Sequence, residues 1–300
     1  MNTIRTVWGT VWRSVLVGVG YLVAMIVAGM LSSIGGAPTP ASQGSGSQLA
    51  WLFISSILIG LFLGPLASRI AATRWQHFLI WTGVIFFNMG AVAIEGVFFV
   101  PELVPIPLPV LAGQQLLAAL AAASLVTWLF APPGKAMSWV QALRLRPWYQ
   151  WAWRFVASAA SYLVFYFVFG AINYALVTKP YYVSHSGGLT APPPESVLVA
   201  ELVRAPLIAL SVLLFILSVR TSRRRLIVMT GLMLFWVGGV VPLVMQASTL
   251  PPLLLMASGV EIFFQNFLTG LVAAVLLGTR NDGNCEDSAA RKIKPQGGNS

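Results

Sequence analysis

The amino-acid sequence predicts an all-α integral membrane protein with about eight transmembrane helices, and two observations support this prediction. The chain has 300 residues, of which 57% are hydrophobic and only 9% are charged, whereas soluble domains carry about 25% charged residues. The hydrophobic residues are also grouped into long segments, and a helix needs about 20 apolar residues to cross a bilayer. We therefore predict a multi-pass protein of a bacterial cytoplasmic membrane, with the lipid bilayer as its surroundings.

Eight apolar segments are long enough to span the membrane. The joints between them are short and polar or rich in proline, such as the flexible joint 35–48 and the stiffer joint 101–109. The joint 177–196 contains Pro180 and three successive prolines, so we predict that the fifth helix ends before it. The predicted spans are 14–34, 49–71, 78–100, 109–131, 152–176, 197–219, 225–247 and 252–278.

The basic residues predict the orientation of these helices. A net charge of +10 would suggest nucleic-acid binding in a soluble protein. Here the lysines and arginines fall in alternate joints, and Lys179 is the single basic residue of the others. Cytoplasmic joints carry the excess of Lys and Arg, which predicts that both termini are cytoplasmic. We predict no nucleic-acid partner.

Parts of the chain resemble each other and predict a duplication. The segment 12–29 aligns without gaps to 153–170, and both contain Tyr-Leu-Val and end in glycine. At an offset of 148 positions, Thr82-Gly83 matches Thr230-Gly231. We predict two four-helix halves in parallel orientation, because an even number of helices gives both halves the same direction.

The duplication divides the chain into four predicted parts. Residues 1–134 form the first half and residues 152–279 the second. Between them, 135–151 forms a linker on the cytoplasmic surface, and 280–300 is a polar tail of mixed charge that we predict to be disordered.

Four charged side chains lie away from the cytoplasmic ends of the predicted spans, although a charge at a helix centre costs about 2.5–3.5 kcal/mol on insertion scales. Counted from the helix ends, Glu95, Glu201, Arg204 and Glu261 all fall in the outer third of the bilayer. Glu201 and Arg204 are three residues apart and are predicted to pair on one helix face. The shared depth of the four charges predicts a common site.

Amide side chains extend this predicted site. Asn88 lies two helical turns below Glu95, and Gln265 follows Glu261 along one polar stripe of the eighth helix. Gln114 lies in the outer third of the fourth helix. Polar stripes facing lipid would be costly, so we expect them to face an internal cavity. The predicted lining is Glu95, Glu201, Arg204, Glu261, Asn88, Gln265 and Gln114.

The predicted site favours a transporter-like or permease-like protein. Fully ionised, three carboxylates and one guanidinium carry a charge of −2, which suits a proton, a cation or a small solute bearing an amine. Two alternatives stay open. The chain could be a non-catalytic membrane subunit that binds a protein partner, or an enzyme acting on lipid-linked substrates. In such an enzyme Glu95 or Glu261 would be the base, and Arg204 would hold a lipid headgroup.

Sequence motifs for cofactors and metals are missing. The chain contains one cysteine, Cys285, and two histidines that lie in different joints. It contains no HExxH, no Walker A motif and no GxSxG. We predict no cofactor and no metal site, and the balance of these observations disfavours an enzyme.

Overall fold

The computed structural model describes residues 2–36, 46–70, 72–99, 106–132, 139–185, 191–219 and 221–278. The regular structure of these residues is helical, without a strand. Eight of the helices are long and apolar enough to cross a membrane. The helices are α1 (Asn2–Ile34), α2 (Gly46–Ala67), α3 (Arg74–Phe99), α4 (Leu108–Phe130), α5 (Trp139–Arg144), α6 (Trp148–Val183), α7 (Pro194–Ser218), α8 (Arg223–Met245) and α9 (Pro252–Leu277). The predicted tail 280–300 lies outside the described residues.

The predicted spans agree with these helices to within four residues except at two ends. Helix α1 begins at Asn2, well before its predicted start at residue 14. The added turns are less apolar, but extending an existing helix costs far less than starting one. The second exception is the fifth span.

The prediction that the fifth span ends at residue 176 is wrong. Helix α6 continues past Pro180 to Val183, through a π-helical turn at Tyr174–Thr178. A proline inside an α-helix removes one hydrogen bond and clashes with the carbonyl four residues earlier. The π turn changes this local pattern, because the amide of Lys179 donates to the carbonyl of Tyr174, five residues back. Proline therefore follows a widened turn and does not end the helix.

Helix α8 uses the same arrangement. Its π-helical turn, Trp236–Val240, comes immediately before Val241 and Pro242. The amide of Val241 donates to the carbonyl of Trp236, again five residues back. Single π turns inside α-helices are frequent at functional sites, and these turns of α6 and α8 lie beside the cavity described below.

The eight spanning helices pack as two connected groups. In the first group α1 packs against α2 and α4, and α3 packs against α4. In the second, α6 packs against α7 and α9, and α8 packs against α9. The groups meet where α3 contacts α7 and α8 and where α2 contacts α8. Large side chains such as Trp81 and Phe215 are fully buried at this junction.

Two arginines beside the linker bind the last turn of α9. Arg146 donates to the carbonyl oxygens of Leu276, Leu277 and Gly278 at 3.2, 3.4 and 2.6 Å, and Arg154 donates to Leu276 at 2.7 Å. Burial and the neighbouring positive charge of Arg154 lower the pKa of Arg146. The terminal carbonyls of a helix have no hydrogen-bond partner within it and carry partial negative charge. The two arginines supply both the missing donors and the opposite charge, and so stabilise the end of α9.

Replacing Arg146 with glutamine is expected to lower the free energy of unfolding by about 1–2 kcal/mol, because three carbonyl contacts at a helix end are lost. Thermal unfolding of the purified protein in detergent measures the change. Arg144→Gln is the matched control, since Arg144 is exposed in the same linker. Equal melting temperatures for the two variants would show that the contacts of Arg146 add nothing.

Candidate functional site

A cavity of about 660 Å³ lies between α3 and the four long helices of the second group. Its lining extends from the middle of the bundle to Ala191 and Pro192, which precede α7, and to Gln246 and Leu250, which follow α8. The cavity therefore reaches the end of the bundle at which these two joints lie. Its volume is within the range of sites that bind drug-sized molecules.

Three of the ionisable residues form one ion-pair network. Arg204 on α7 donates through Nη2 to Glu95 Oε2 on α3 at 2.6 Å and through Nη1 to Glu201 Oε1 on its own helix. The predicted pairing of Glu201 with Arg204 is therefore confirmed. The side chain of Glu201 is fully buried, whereas that of Glu95 is 36% exposed. Arg204 thus joins the two groups of helices and shares its charge between two carboxylates.

Glu261 lies on α9 and lines the same cavity. Its Oε2 accepts a hydrogen bond from Nδ2 of Asn173 at 2.5 Å. Its Oε1 points at Gly170, where a side-chain Cβ would lie 3.3 Å away. Among the described residues, the ion pairs of this structure both belong to Arg204 and leave Glu261 without a basic partner.

Amide side chains surround a glycine at the bottom of the cavity. A Cβ on Gly238 would lie 2.8 Å from Oδ1 of Asn88 and 3.2 Å from Nδ2 of Asn266. Only glycine permits this close approach of α3, α8 and α9. Asn88 and Asn266 also donate to the carbonyls of Val84 and Leu234, at 2.8 and 3.3 Å. Asn266 therefore bonds α9 to α8, whereas the hydrogen bond of Asn88 stays within α3, and both amides line the cavity.

Tyrosines of α6 form another side of the cavity. The guanidinium carbon of Arg204 lies 5.8 Å from the ring centre of Tyr162 and 5.7 Å from that of Tyr166. The rings of Tyr174 and Tyr182 pack together with centres 5.9 Å apart. All four tyrosines line the cavity. Tyr166 is within electrostatic range of all four ionisable residues, three of which also line the cavity, namely Glu95, Arg204 and Glu261.

The predicted site residues fall into three sets by position. Glu95, Arg204, Glu261, Asn88 and Gln265 line the cavity. Glu201 lies behind Arg204 and is outside the lining, although it contacts Arg204. Gln114 is outside the lining and donates to the hydroxyl of Ser32 on α1 at 2.9 Å, within the first group of helices.

Sequence reasoning missed most of the other lining residues, among them Tyr174, Tyr182 and Gly238. Tyr182 falls in the segment assigned to a loop, and Tyr174 lies at the end of its predicted helix. The signals were Pro180 and the Gly238-Gly239…Pro242 sequence, since prolines and glycines inside apolar segments often accompany irregular turns.

Comparisons with protein-family models, with curated proteins and with solved structures find no match to this chain. The eight apolar helices of spanning length indicate the class of the protein, an integral membrane protein.

Proposed function

We propose that this protein is a transporter-like or permease-like protein of a bacterial cytoplasmic membrane, which binds a cationic or amine-bearing solute, or a proton, in its cavity. One observation carries the proposal. Glu261 lines a cavity of about 660 Å³ that reaches one end of the bundle, and the ion pairs of the described residues leave it without a cation. A carboxylate in an apolar membrane protein is costly without a partner, and a bound cation supplies one.

The contacts of Arg204 disfavour an enzyme that acts on lipid-linked phosphates. Such an enzyme would use Arg204 to hold an anionic headgroup. Two of its nitrogens already donate to Glu95 and Glu201, and Glu201 is fully buried. An anion would have to displace these carboxylates and would meet Glu261 in the same cavity. The surplus of negative charge therefore favours a cation.

The cavity also disfavours a purely structural role for all four charges. Polar groups that only hold helices together are matched to each other and leave no open volume beside them. Glu261 and the partly exposed Glu95 instead border an open volume. A structural role fits Glu201 and Gln114, and it does not account for Glu261.

The helix neighbours support the proposed duplication. If α1 to α4 are exchanged with α6 to α9 in order, the pairs α1–α2, α1–α4 and α3–α4 become α6–α7, α6–α9 and α8–α9. The contact of α3 with α7 likewise becomes that of α8 with α2. Each of these contacts occurs, as a two-fold axis along the membrane normal requires. The cavity uses one helix of the first half and four of the second, so we propose a single, asymmetric site.

The proposed orientation places both termini in the cytoplasm. The arginines that bind the end of α9, and the indole of Trp139 that donates to Ser218 at 2.7 Å, bring the linker and the ends of α7 and α9 together. Basic joints are cytoplasmic, so the cavity opens toward the outside in this orientation.

Charge-displacement currents test the proposal. Proteoliposomes on a supported membrane are exposed to jumps of H⁺, Na⁺, K⁺ and a panel of primary and quaternary amines. We expect a saturable current for at least one cation, reduced about tenfold or more in Glu261→Gln, because that variant removes one partner of a charge pair in low dielectric. Glu195→Gln is the control, since Glu195 is exposed in the first turn of α7 and outside the cavity.

Either of two results would contradict the proposal. One is a wild-type protein that gives no protein-dependent current with any member of the panel. The other is a current that survives neutralisation of Glu95, Glu201 and Glu261 together. Size-exclusion chromatography of each variant separates loss of transport from loss of the folded protein.

A further inference from the structure

The cavity has features that distinguish among cations. Glu261 supplies a carboxylate whose Oε1 faces the backbone of Gly170, where no side chain intervenes. The second carboxylate of the lining, Glu95, is shared with Arg204 and is partly exposed. A bound cation can therefore interact with both carboxylates while the network of Arg204 stays intact.

Aromatic rings stand beside these carboxylates. Tyr174 and Tyr182 line the cavity as a packed pair, and Tyr182 is within electrostatic range of Glu95 and Glu261. The faces of aromatic rings attract cations, and cages of rings with a carboxylate recognise quaternary ammonium groups. Two other tyrosines of the lining already contact a cation in this way, because the guanidinium of Arg204 lies over the rings of Tyr162 and Tyr166.

Much of the remaining lining is apolar and suits an organic body. The volume of about 660 Å³ is far larger than a bare inorganic ion requires. Apolar side chains from four helices contribute to the lining, among them Val92, Ile208, Leu243, Leu254 and Ile262. Burial of an apolar ligand surface against them is favourable, whereas a hydrated inorganic ion gains nothing from such contacts.

One polar group of the lining also has no partner. Nε of Arg204 is buried and has no hydrogen-bond acceptor in the described structure. Arg204 is itself 95% buried, with 5% of its surface exposed. An unpaired buried donor is unfavourable, and this cost adds to that of burying the charge of Arg204 between two carboxylates.

We propose that the cavity binds an amphiphilic organic cation, with its ammonium group between Glu261 and the Tyr174–Tyr182 pair and its apolar body against the apolar lining. This inference rests on the proposed function and narrows its solute class from cations in general to ammonium compounds with an apolar body. The inference therefore excludes inorganic ions as the solute.

Equilibrium binding of choline phenyl ether tests the inference, because this probe combines a quaternary ammonium, an ether oxygen and an aromatic body. The tritiated probe is added to the full-length protein in micelles of the non-ionic detergent dodecyl maltoside, which carries no ammonium group. The competitor is 3,3-dimethylbutyl phenyl ether, in which carbon replaces the nitrogen. We expect the neutral competitor to bind about tenfold or more weakly than the cation, because it lacks the attraction to the carboxylate and rings.

Variants separate the carboxylate from the rings. Glu261→Gln is expected to weaken binding about tenfold or more and Tyr182→Leu about threefold or more. Tyr182→Phe keeps the ring and should bind nearly as the wild type does, and so should Glu195→Gln. Tyr182→Leu keeps the test decisive if Glu261→Gln does not fold.

The inference and the proposed function fail in different ways. Currents of H⁺, Na⁺ or K⁺ that depend on Glu261, without binding of choline phenyl ether, would overturn the inference and leave the proposed function standing. Equal binding of the charged and neutral ethers would also overturn the inference. Binding of the cation that depends on Glu261 and Tyr182, without any current, would support the inference and overturn transport.

Discussion

Replacing Arg204 with methionine is expected to destabilise the protein by about 3–5 kcal/mol, the cost of removing one partner of a buried ion pair. The loss is large because Glu201 is fully buried and Arg204 is its basic partner. Glu95 loses the same partner, and with it the charged contact between α3 and α7. Fluorescence-detected thermal unfolding in detergent measures the change as a lower melting temperature.

Compensating substitutions distinguish this cost from a loss of packing. The triple variant Glu95→Gln, Glu201→Gln, Arg204→Met removes all three charges, and replacing a whole buried ion pair is often neutral. We expect it to recover most of the stability lost by Arg204→Met alone. Arg223→Met is the control for removing an arginine at an exposed position. An Arg204→Met variant that melts like this control would show that the network does not stabilise the fold.

The triple variant also bears on function. It retains Glu261, the amide of Asn173 and the tyrosine pair, which carry the proposed binding of the ammonium group. The network of Arg204 and the carboxylate of Glu261 thus have separable roles. The first positions α3 against α7, and the second faces the solute.

Depth along a helix was predictable from the sequence, and rotation about the helix axis was not. Glu95, Glu201 and Arg204 were predicted at one depth because each position can be counted from the end of an apolar segment, and their ion pairs agree with that count. Gln114 was assigned the same depth, but it hydrogen bonds to Ser32. Its direction depends on which helix packs beside α4, and the apolar sequence of α4 gives no sign of that.

The irregular helices show a second limit of the sequence. Hydropathy identifies a segment that prefers lipid, and Pro180 follows such a segment directly, so an end of the helix was the simplest prediction. The π turn at Tyr174–Thr178 lets the helix continue and brings Tyr182 to the cavity. A π turn depends on packing against neighbouring helices, and local residue preferences do not specify it.

The matched glycines of the two halves give the last prediction. Gly83 and Gly231 occupy equivalent positions in the proposed repeat, each after a threonine. A Cβ on Gly231 would lie 2.7 Å from Cδ2 and 2.9 Å from the carbonyl oxygen of Phe267 on α9. A Cβ on Gly83 would find its nearest atoms at 3.9 Å, an ordinary contact distance.

Gly231→Ala is therefore expected to cost about 1–3 kcal/mol through overpacking, whereas Gly83→Ala should be neutral or stabilise by up to about 1 kcal/mol, since alanine favours the helix. Both changes add the same methyl group to a helix interior, so their difference in thermal unfolding isolates the packing of α8 on α9. Two nearly equal melting temperatures would contradict the close approach. Gly238, two turns further along α8, lies close to Asn266, which is next to Phe267 on α9. Separating α8 from α9 at Gly231 should therefore also weaken binding in the cavity.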